Sequence, residues 1–160
     1  MLLDAADLRS VLVVEDCDDD FDTVRVAAAR ARVPNRLVRA ADAEMALHLL
    51  GCGPVGLFAF MLLDYSLPGL DGLALLQQLR RDDPLGQLPV VVFTTSINPR
   101  DRDAFCAAGA SAFHVKDLQY PDCLRTLDLI FDQWLHCKAR PNGAAVVPPI
   151  QSSTQPLTRP

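Results

Sequence analysis

Residues 57–72 read LFAFMLLDYSLPGLDG, and this stretch sets the organisation of the chain. Seven of the eight residues from Leu57 to Asp64 are apolar, which predicts a buried strand, and the eighth is the acid Asp64. The segment SLPGLDG that follows contains proline and glycine, which are typical of a turn. Because a buried acid without a partner is costly, we expect Asp64 to meet other polar groups at the end of its strand.

Short apolar runs of the same kind alternate with helical segments along the chain. Four further strands are predicted, in SVLVVED, Leu37–Ala40, LPVVVFTTS and SAFHVK. Alternating strands and helices with short links indicate a parallel sheet that is covered by helices on both faces. Continuous apolar runs such as VVVF fit such a sheet. The predicted fold class is therefore α/β.

This alternation ends near residue 138, and we interpret residues 1–138 as one domain. Residues 139–160 are rich in proline and lack a regular period, which favours a flexible tail over a second domain. The five cysteines are an odd number and form no CxxC pair, so neither a disulfide framework nor a zinc site is expected.

Charge and hydropathy argue against two classes of partner. The net charge is −5 and the arginines are scattered, whereas a nucleic-acid-binding surface needs clustered basic residues. No apolar run reaches the roughly 18 to 20 residues of a membrane span. The N-terminus lacks the basic region of a signal peptide. We therefore expect a cytoplasmic protein that binds neither nucleic acid nor membrane.

Polar residues follow four of the five predicted strands. In an open α/β sheet, ligands bind outside the carboxyl ends of the strands, so these residues are expected to share one edge. They are Glu15 and Asp16 after the first strand, Asp64 after the third, Thr94 and Thr95 at the end of the fourth, and Lys116 after the fifth. Asp18, Asp19 and Asp20, in contrast, are interpreted as acids that begin the first helix.

The chemistry of this set points to phosphoryl transfer. Three adjacent carboxylates repel one another, and a divalent cation such as Mg²⁺, which prefers oxygen ligands and phosphate, removes that repulsion. An aspartate carboxylate can attack phosphorus and form an aspartyl phosphate. A hydroxyl at Thr94 and an ammonium at Lys116 would then bind the phosphoryl oxygens.

Four motifs carry a resemblance to the receiver domains of two-component response regulators, over residues 10 to about 137. They are VVED, LLDYSLPGLDG, VVFTTS and FHVK. The resemblance implies a flavodoxin-like, doubly wound sheet of five parallel strands in the order 2-1-3-4-5. It also implies a signalling protein rather than an enzyme.

The resemblance assigns roles to the acids. Asp64 would accept a phosphoryl group from a phosphohistidine on a sensor histidine kinase. Glu15, Asp16, Asp64 and the backbone carbonyl of Ser66 would hold Mg²⁺.

The resemblance also implies a set of phosphoryl-binding and switch residues. Lys116 would pair with Asp64 at rest and with the phosphoryl group afterwards, and Thr94 would swing toward that group. Phe113 occupies the place of the switch aromatic that follows Thr94. Thr95 stands where the family often has alanine, and we hypothesise that it narrows the access of water to the phosphoryl group.

A narrower resemblance concerns the kinase partner. The segments VEDCDDD, VPNRLVRAADAEMAL and TTSINPRDRDAFCAAGASAFHVK are similar to single-domain regulators that work with phytochrome-type light-sensing kinases, such as bacteriophytochromes. One position departs from the family. Asp117 follows Lys116 where receivers usually have a cis proline, so we expect a trans bond there and an altered loop.

Output is expected to run through protein contacts, because the 22 residues from Ala139 onward are too few for a helix-turn-helix module. The last helix has an apolar stripe that we interpret as a contact face for a symmetric homodimer or a downstream protein. The stripe consists of Leu124, Leu127, Ile130, Phe131 and Trp134.

Two other interpretations stay open at this point. The chain would be a pseudo-receiver, a binding module that is not phosphorylated, if the missing proline disables the site. It would be a phosphatase of the dehalogenase type if Asp64 were a hydrolytic nucleophile, but those enzymes need a second acid at the position that Ser66 occupies.

Overall fold

The computed structural model describes residues 8–54, 56–82 and 85–136. Its centre is one parallel sheet in the order β2-β1-β3-β4-β5, which confirms the predicted topology. The strands are β1 (Ser10–Val14), β2 (Leu37–Ala40), β3 (Phe58–Leu63), β4 (Val90–Thr94) and β5 (Ala112–Val115). The predicted tail, residues 139–160, lies outside the described residues.

Five helices connect or follow the strands. They are α1 (Asp18–Arg30), α2 (Ala43–Cys52), α3 (Gly72–Arg81), α4 (Pro99–Ala107) and α5 (Tyr120–Phe131), the last of which continues into a π-helical turn, Asp132–His136. Side-chain oxygens of Asp42, Asp71 and Asn98 accept hydrogen bonds from backbone N–H groups in the first turns of α2, α3 and α4. These caps fix where each of the three helices begins after its loop.

Each strand contributes to two apolar cores, because successive side chains of a strand point to opposite faces. In β1, Val11 and Val13 pack with α1 and α5, whereas Leu12 and Val14 pack with α2, α3 and α4. The sheet is therefore buried on both faces, as the continuous apolar runs predicted. None of the described helices is long and apolar enough to cross a bilayer.

The apolar stripe of α5 belongs to the first of these cores, which corrects its interpretation as a dimer or partner face. Its side chains cover the sheet beside α1, and the ring centroid of Trp134 lies 6.4 Å from that of Phe60 on β3. The stripe is wide because α5 shares a core with side chains of the sheet and also packs against α1. Four of its members are buried and the fifth is half-buried: Leu124, Leu127, Ile130, Phe131 and Trp134.

Two loops at the carboxyl edge of the sheet have features that shape the site. All described peptide bonds are trans, so the trans bond predicted between Lys116 and Asp117 is confirmed. At the start of α3, a Cβ atom on Gly72 would collide with the backbone oxygen of Asp64. Glycine is needed there because α3 begins directly against Asp64, the residue that follows β3.

Candidate functional site

Four polar side chains that were predicted to share one edge of the sheet are buried there together. Glu15, Asp64, Thr94 and Lys116 are each 8% exposed or less. The sheet ladder brings them side by side, since the N–H of Asp64 donates to Val14 O at 3.1 Å and that of Lys116 donates to Thr94 O at 2.6 Å. Residues far apart in the chain thus meet because the carboxyl ends of their parallel strands lie at the same edge of the sheet.

The ammonium of Lys116 lies among three carboxylates. Its Nζ donates to Glu15 Oε2 at 2.7 Å and to Asp20 Oδ2 at 2.8 Å, and it lies 3.4 Å from Asp64 Oδ2. The pairing of Lys116 with Asp64 that the sequence predicted is therefore present as an ion pair. The two shorter contacts, however, go to the other carboxylates.

Asp20 is the residue that the sequence interpretation missed. It lies in the first turn of α1 with its side chain 43% exposed, and its position had suggested only an acid that begins a helix. A signal for it existed, because α1 starts three residues after Glu15 and its first turn must therefore lie at the carboxyl edge of the sheet. Asp18 and Asp19 in the same turn are exposed.

Asp16, a predicted metal ligand, is exposed, and its carboxylate is not one of the three that cluster. Its backbone oxygen accepts a hydrogen bond at 3.0 Å from Arg39 on β2. Arg39 also donates to the backbone oxygen of Glu15 at 2.9 Å and pairs with the Asp18 carboxylate at 2.6 Å. Arg39 therefore holds the turn from β1 to α1, and the role of Asp16 as a ligand stays a prediction.

The charges of the cluster perturb one another's protonation. Burial raises the pKa of Glu15 to about 7, against the opposing effect of its hydrogen bond with Lys116, and the nearby charge of Asp64 adds to the rise. Burial alone would lower the pKa of Lys116, but its hydrogen bonds with Asp20 and Glu15 outweigh burial and raise it. Lys116 therefore stays charged, whereas Glu15 takes up a proton near neutral pH.

The donor set of this cluster suits a divalent cation. Glu15, Asp20 and Asp64 each offer a carboxylate oxygen, and these three oxygens lie within 4.8 Å of one another. Carboxylate oxygens are the ligands that Mg²⁺ and Mn²⁺ accept. The backbone carbonyl of Ser66 is also a predicted ligand. Ser66 is exposed and lies two residues after Asp64, in the loop between β3 and α3.

The predicted switch residues occupy different surroundings. Thr94 is buried, and its hydroxyl accepts a hydrogen bond from the N–H of Ser96 at 3.3 Å, whereas Thr95 is exposed. Phe113 on β5 is half-buried, with its ring centroid 5.8 Å from that of Phe105 on α4. The ring of Phe105 also makes an edge contact with Tyr65 at 5.4 Å, so aromatic contacts extend from the neighbour of Asp64 to β5.

Comparison with known proteins places this geometry in context. A family model described as the response regulator receiver domain matches residues 11–128. A curated relative, the probable methanogenesis regulatory protein FilR2 of Methanothrix harundinacea, is 31% identical over 146 residues, which is 89% of this chain and 94% of the relative.

Solved structures with the same fold include three regulators. The phosphorylated cyanobacterial phytochrome response regulator RcpA is 26% identical, with a TM-score of 0.73 over 79% of this chain and 93% of its own. The Mn²⁺-bound response regulator Rcp1 is 25% identical, with a TM-score of 0.75 over 84% of this chain and 99% of its own. The bacteriophytochrome response regulator AtBRR is 31% identical, with a TM-score of 0.66 over 86% of this chain and 99% of its own.

Proposed function

The chain belongs to the response regulator receiver domain family, and we propose on that premise that it is a phosphorylation-driven signalling switch whose acceptor is Asp64. One observation carries the proposal. Asp64 directly follows the central strand β3, and its carboxylate lies in a buried cluster, 3.4 Å from a lysine ammonium and within 4.8 Å of two further carboxylate oxygens. This arrangement combines a nucleophile, a counter-charge and candidate cation ligands.

The reaction follows from these groups. An oxygen of Asp64 attacks the phosphorus of a phosphohistidine on the donor kinase, the P–N bond breaks, and its electron pair returns to the imidazole. The phosphoryl group is then joined to Asp64 as an acyl phosphate. Lys116 neutralises the added negative charge, and the hydroxyl of Thr94 donates to a phosphoryl oxygen once it leaves its bond with Ser96.

We propose that the reaction depends on Mg²⁺, which would supply positive charge to offset the negative charges of the carboxylates and the phosphoryl group. The family resemblance implies Glu15, Asp16, Asp64 and the backbone carbonyl of Ser66 as ligands of this ion. Asp20 is not in that set, and we propose that its carboxylate, although part of the cluster, serves Lys116 and not the ion. The Mn²⁺-bound form of Rcp1 supports a divalent cation in a protein of this fold.

The proposed donor is a sensor histidine kinase of phytochrome type. Support comes from the similarity to a cyanobacterial phytochrome response regulator and to a bacteriophytochrome response regulator. The test compares phosphotransfer from an autophosphorylated phytochrome-type kinase with transfer from a chemotaxis-type kinase at equal concentrations. We expect faster transfer from the phytochrome-type kinase, and equal rates would contradict this choice of partner.

Output through a homodimer and an unidentified downstream protein also remains our proposal. Because the predicted stripe is buried, a contact face on α5 has to use other side chains, and Leu129 is 66% exposed. Sedimentation should show a dimer at high micromolar concentration for wild type and for the control Val26→Glu on α1. Leu129→Glu should be monomeric, and a monomeric wild type with and without beryllofluoride would remove the dimer proposal.

The proposed phosphorylation is tested with acetyl phosphate and Mg²⁺, followed by intact-protein mass measurement. We expect wild type and Asp103→Asn, a control at an exposed position of α4, to gain one stable phosphoryl group. Asp64→Asn should gain none. Absence of any adduct on wild type would favour the pseudo-receiver, and hydrolysis of many equivalents would favour a phosphatase.

A further inference from the structure

The sequence pattern gives Asp20 no role beyond that of an acid at the start of α1, yet its carboxylate accepts a hydrogen bond from Lys116 Nζ at 2.8 Å. We propose that Asp20 is a positioning residue that, together with Glu15, holds Lys116 back from Asp64 in the unphosphorylated protein. This inference rests on the proposed function, in which Lys116 serves the phosphoryl group on Asp64.

The order of the distances carries the inference. Lys116 Nζ lies 2.7 Å from Glu15 and 2.8 Å from Asp20, both within the normal range of a hydrogen bond, but 3.4 Å from the oxygen of Asp64. A lysine ammonium has three N–H donors, and the two best-placed ones go to Glu15 and Asp20. The ammonium is therefore bound most tightly by residues other than the acceptor.

Phosphorylation changes the balance between these contacts. The acyl phosphate adds negative charge at Asp64, and Lys116 has to approach the phosphoryl oxygens to neutralise it. The hydrogen bond to Asp20 lengthens when that happens. The Asp20 carboxylate also repels the phosphoryl group, since its oxygen lies within 4.8 Å of the Asp64 carboxylate. Both effects make Asp20 stabilise the unphosphorylated state relative to the phosphorylated one.

The neighbouring Asp19 separates this role from the ordinary effect of an acid at a helix start. Asp19 and Asp20 lie in the same first turn of α1, where both favour the helix macrodipole. Asp19 is exposed and is not in the carboxylate cluster. Asp19→Asn is therefore the matched control, because it removes the same charge from the same turn without changing the contact of Lys116.

The experiment measures two quantities on the full chain: the unfolding midpoint in denaturant, and the affinity for beryllofluoride, a phosphoryl mimic, in the presence of Mg²⁺. Asp20→Asn should lower the unfolding midpoint and yet raise the affinity for beryllofluoride by roughly threefold to tenfold, because a charged hydrogen bond is lost from the unphosphorylated state only. Asp20→Glu, which keeps the charge, should restore the wild-type affinity. Asp19→Asn should leave the affinity unchanged.

A lower unfolding midpoint together with a higher affinity for beryllofluoride distinguishes a positioning role. Loss of a merely structural aspartate would weaken both stability and binding. An Asp20→Asn variant whose affinity is equal to or lower than that of wild type overturns the inference. If wild type binds beryllofluoride and Asp64→Asn does not, the proposed function stands whatever Asp20 does. If wild type does not bind it, both proposals fall.

Discussion

Helices α1 and α5 lie side by side on one face of the sheet, but they contribute to the molecule in different ways. The body of α5 is apolar on its inner side, and residues such as Leu127 and Phe131 fill the core. The body of α1 fills the same core with small residues such as Ala27 and Ala28. The first turn of α1, however, places Asp20 against the ammonium of Lys116.

The difference shows that position along a helix decides its role in this fold. The body of a helix covers the sheet, whereas its first turn lies at the edge where the strands end and the charged groups meet. Substitutions in the body of α5 should therefore change stability without changing the chemistry. Substitutions at the edge should change the chemistry, and they should change stability through charge rather than through packing.

The largest effect is expected in the body of α5. Phe131→Ala should lower the free energy of unfolding by about 3–5 kcal/mol, because it leaves a cavity in the core. The yield of phosphoryl adduct per folded molecule should stay at the wild-type level. Denaturant unfolding and intact-protein mass measure the two quantities, with exposed Val26→Ala on α1 as a control that should change stability by less than about 0.5 kcal/mol. Loss of labelling in folded Phe131→Ala would contradict the comparison, because a substitution in the body of α5 would then have changed the chemistry.

The second-largest effect on stability is expected at the carboxyl edge of the sheet, where the charged side chains cluster. Lys116→Met should lower the free energy of unfolding by about 3 kcal/mol at pH 8 without divalent cations, because the buried carboxylates lose their only counter-charge among the described residues of the cluster. Excess Mg²⁺ should restore part of this loss, and it should do so more for Lys116→Met than for Phe131→Ala. Equal responses of the two variants to Mg²⁺ would mean that charge is not what distinguishes the regions.

A smaller effect comes from the protonation of Glu15. Its pKa in the folded protein is raised from the ordinary 4.5 to about 7. Between these pH values Glu15 keeps its proton in the folded state, whereas the unfolded chain has released it. The contribution of Glu15 to the free energy of unfolding therefore falls as pH rises from 4.5 to 7. Wild type should therefore lose stability relative to Glu15→Gln over this window, by about 2–3 kcal/mol. A constant difference between the two proteins from pH 4.5 to 8 would contradict the raised pKa.

The smallest effect is expected at Thr95, which is exposed beside buried Thr94. If its side chain limits the access of water to the phosphoryl group, Thr95→Ala should shorten the phosphorylated lifetime a few-fold and leave the unfolding free energy within about 0.5 kcal/mol of wild type. A dephosphorylation time course that matches wild type would dispose of this hypothesis.

The sequence predicted the fold and most of the cluster because both follow from local patterns. Apolar runs and helical periods are visible in short windows, and Glu15, Asp64, Thr94 and Lys116 each end or directly follow a strand. Of the two consecutive acids Glu15 and Asp16, only Glu15 is buried in the cluster, and the sequence pattern alone did not separate them.

The rest depended on the relation between elements, which no single window of sequence contains. Asp20 enters the cluster because the first turn of α1 faces the end of β5, four strands later in the chain. The stripe of α5 is wide because α1 covers one of its sides, so Leu124 and Ile130 both face the core. Neither feature can be read from the spacing of residues within one helix.

The central claim, that Asp64 is the acceptor, is tested most directly by locating the phosphoryl group. Protein treated with acetyl phosphate and Mg²⁺ is reduced with borohydride, which converts an acyl phosphate to an alcohol, and the modified residue is then identified by peptide mapping. We predict conversion of Asp64 alone. Conversion at Asp16, Asp20 or another acid in place of Asp64 would contradict the account.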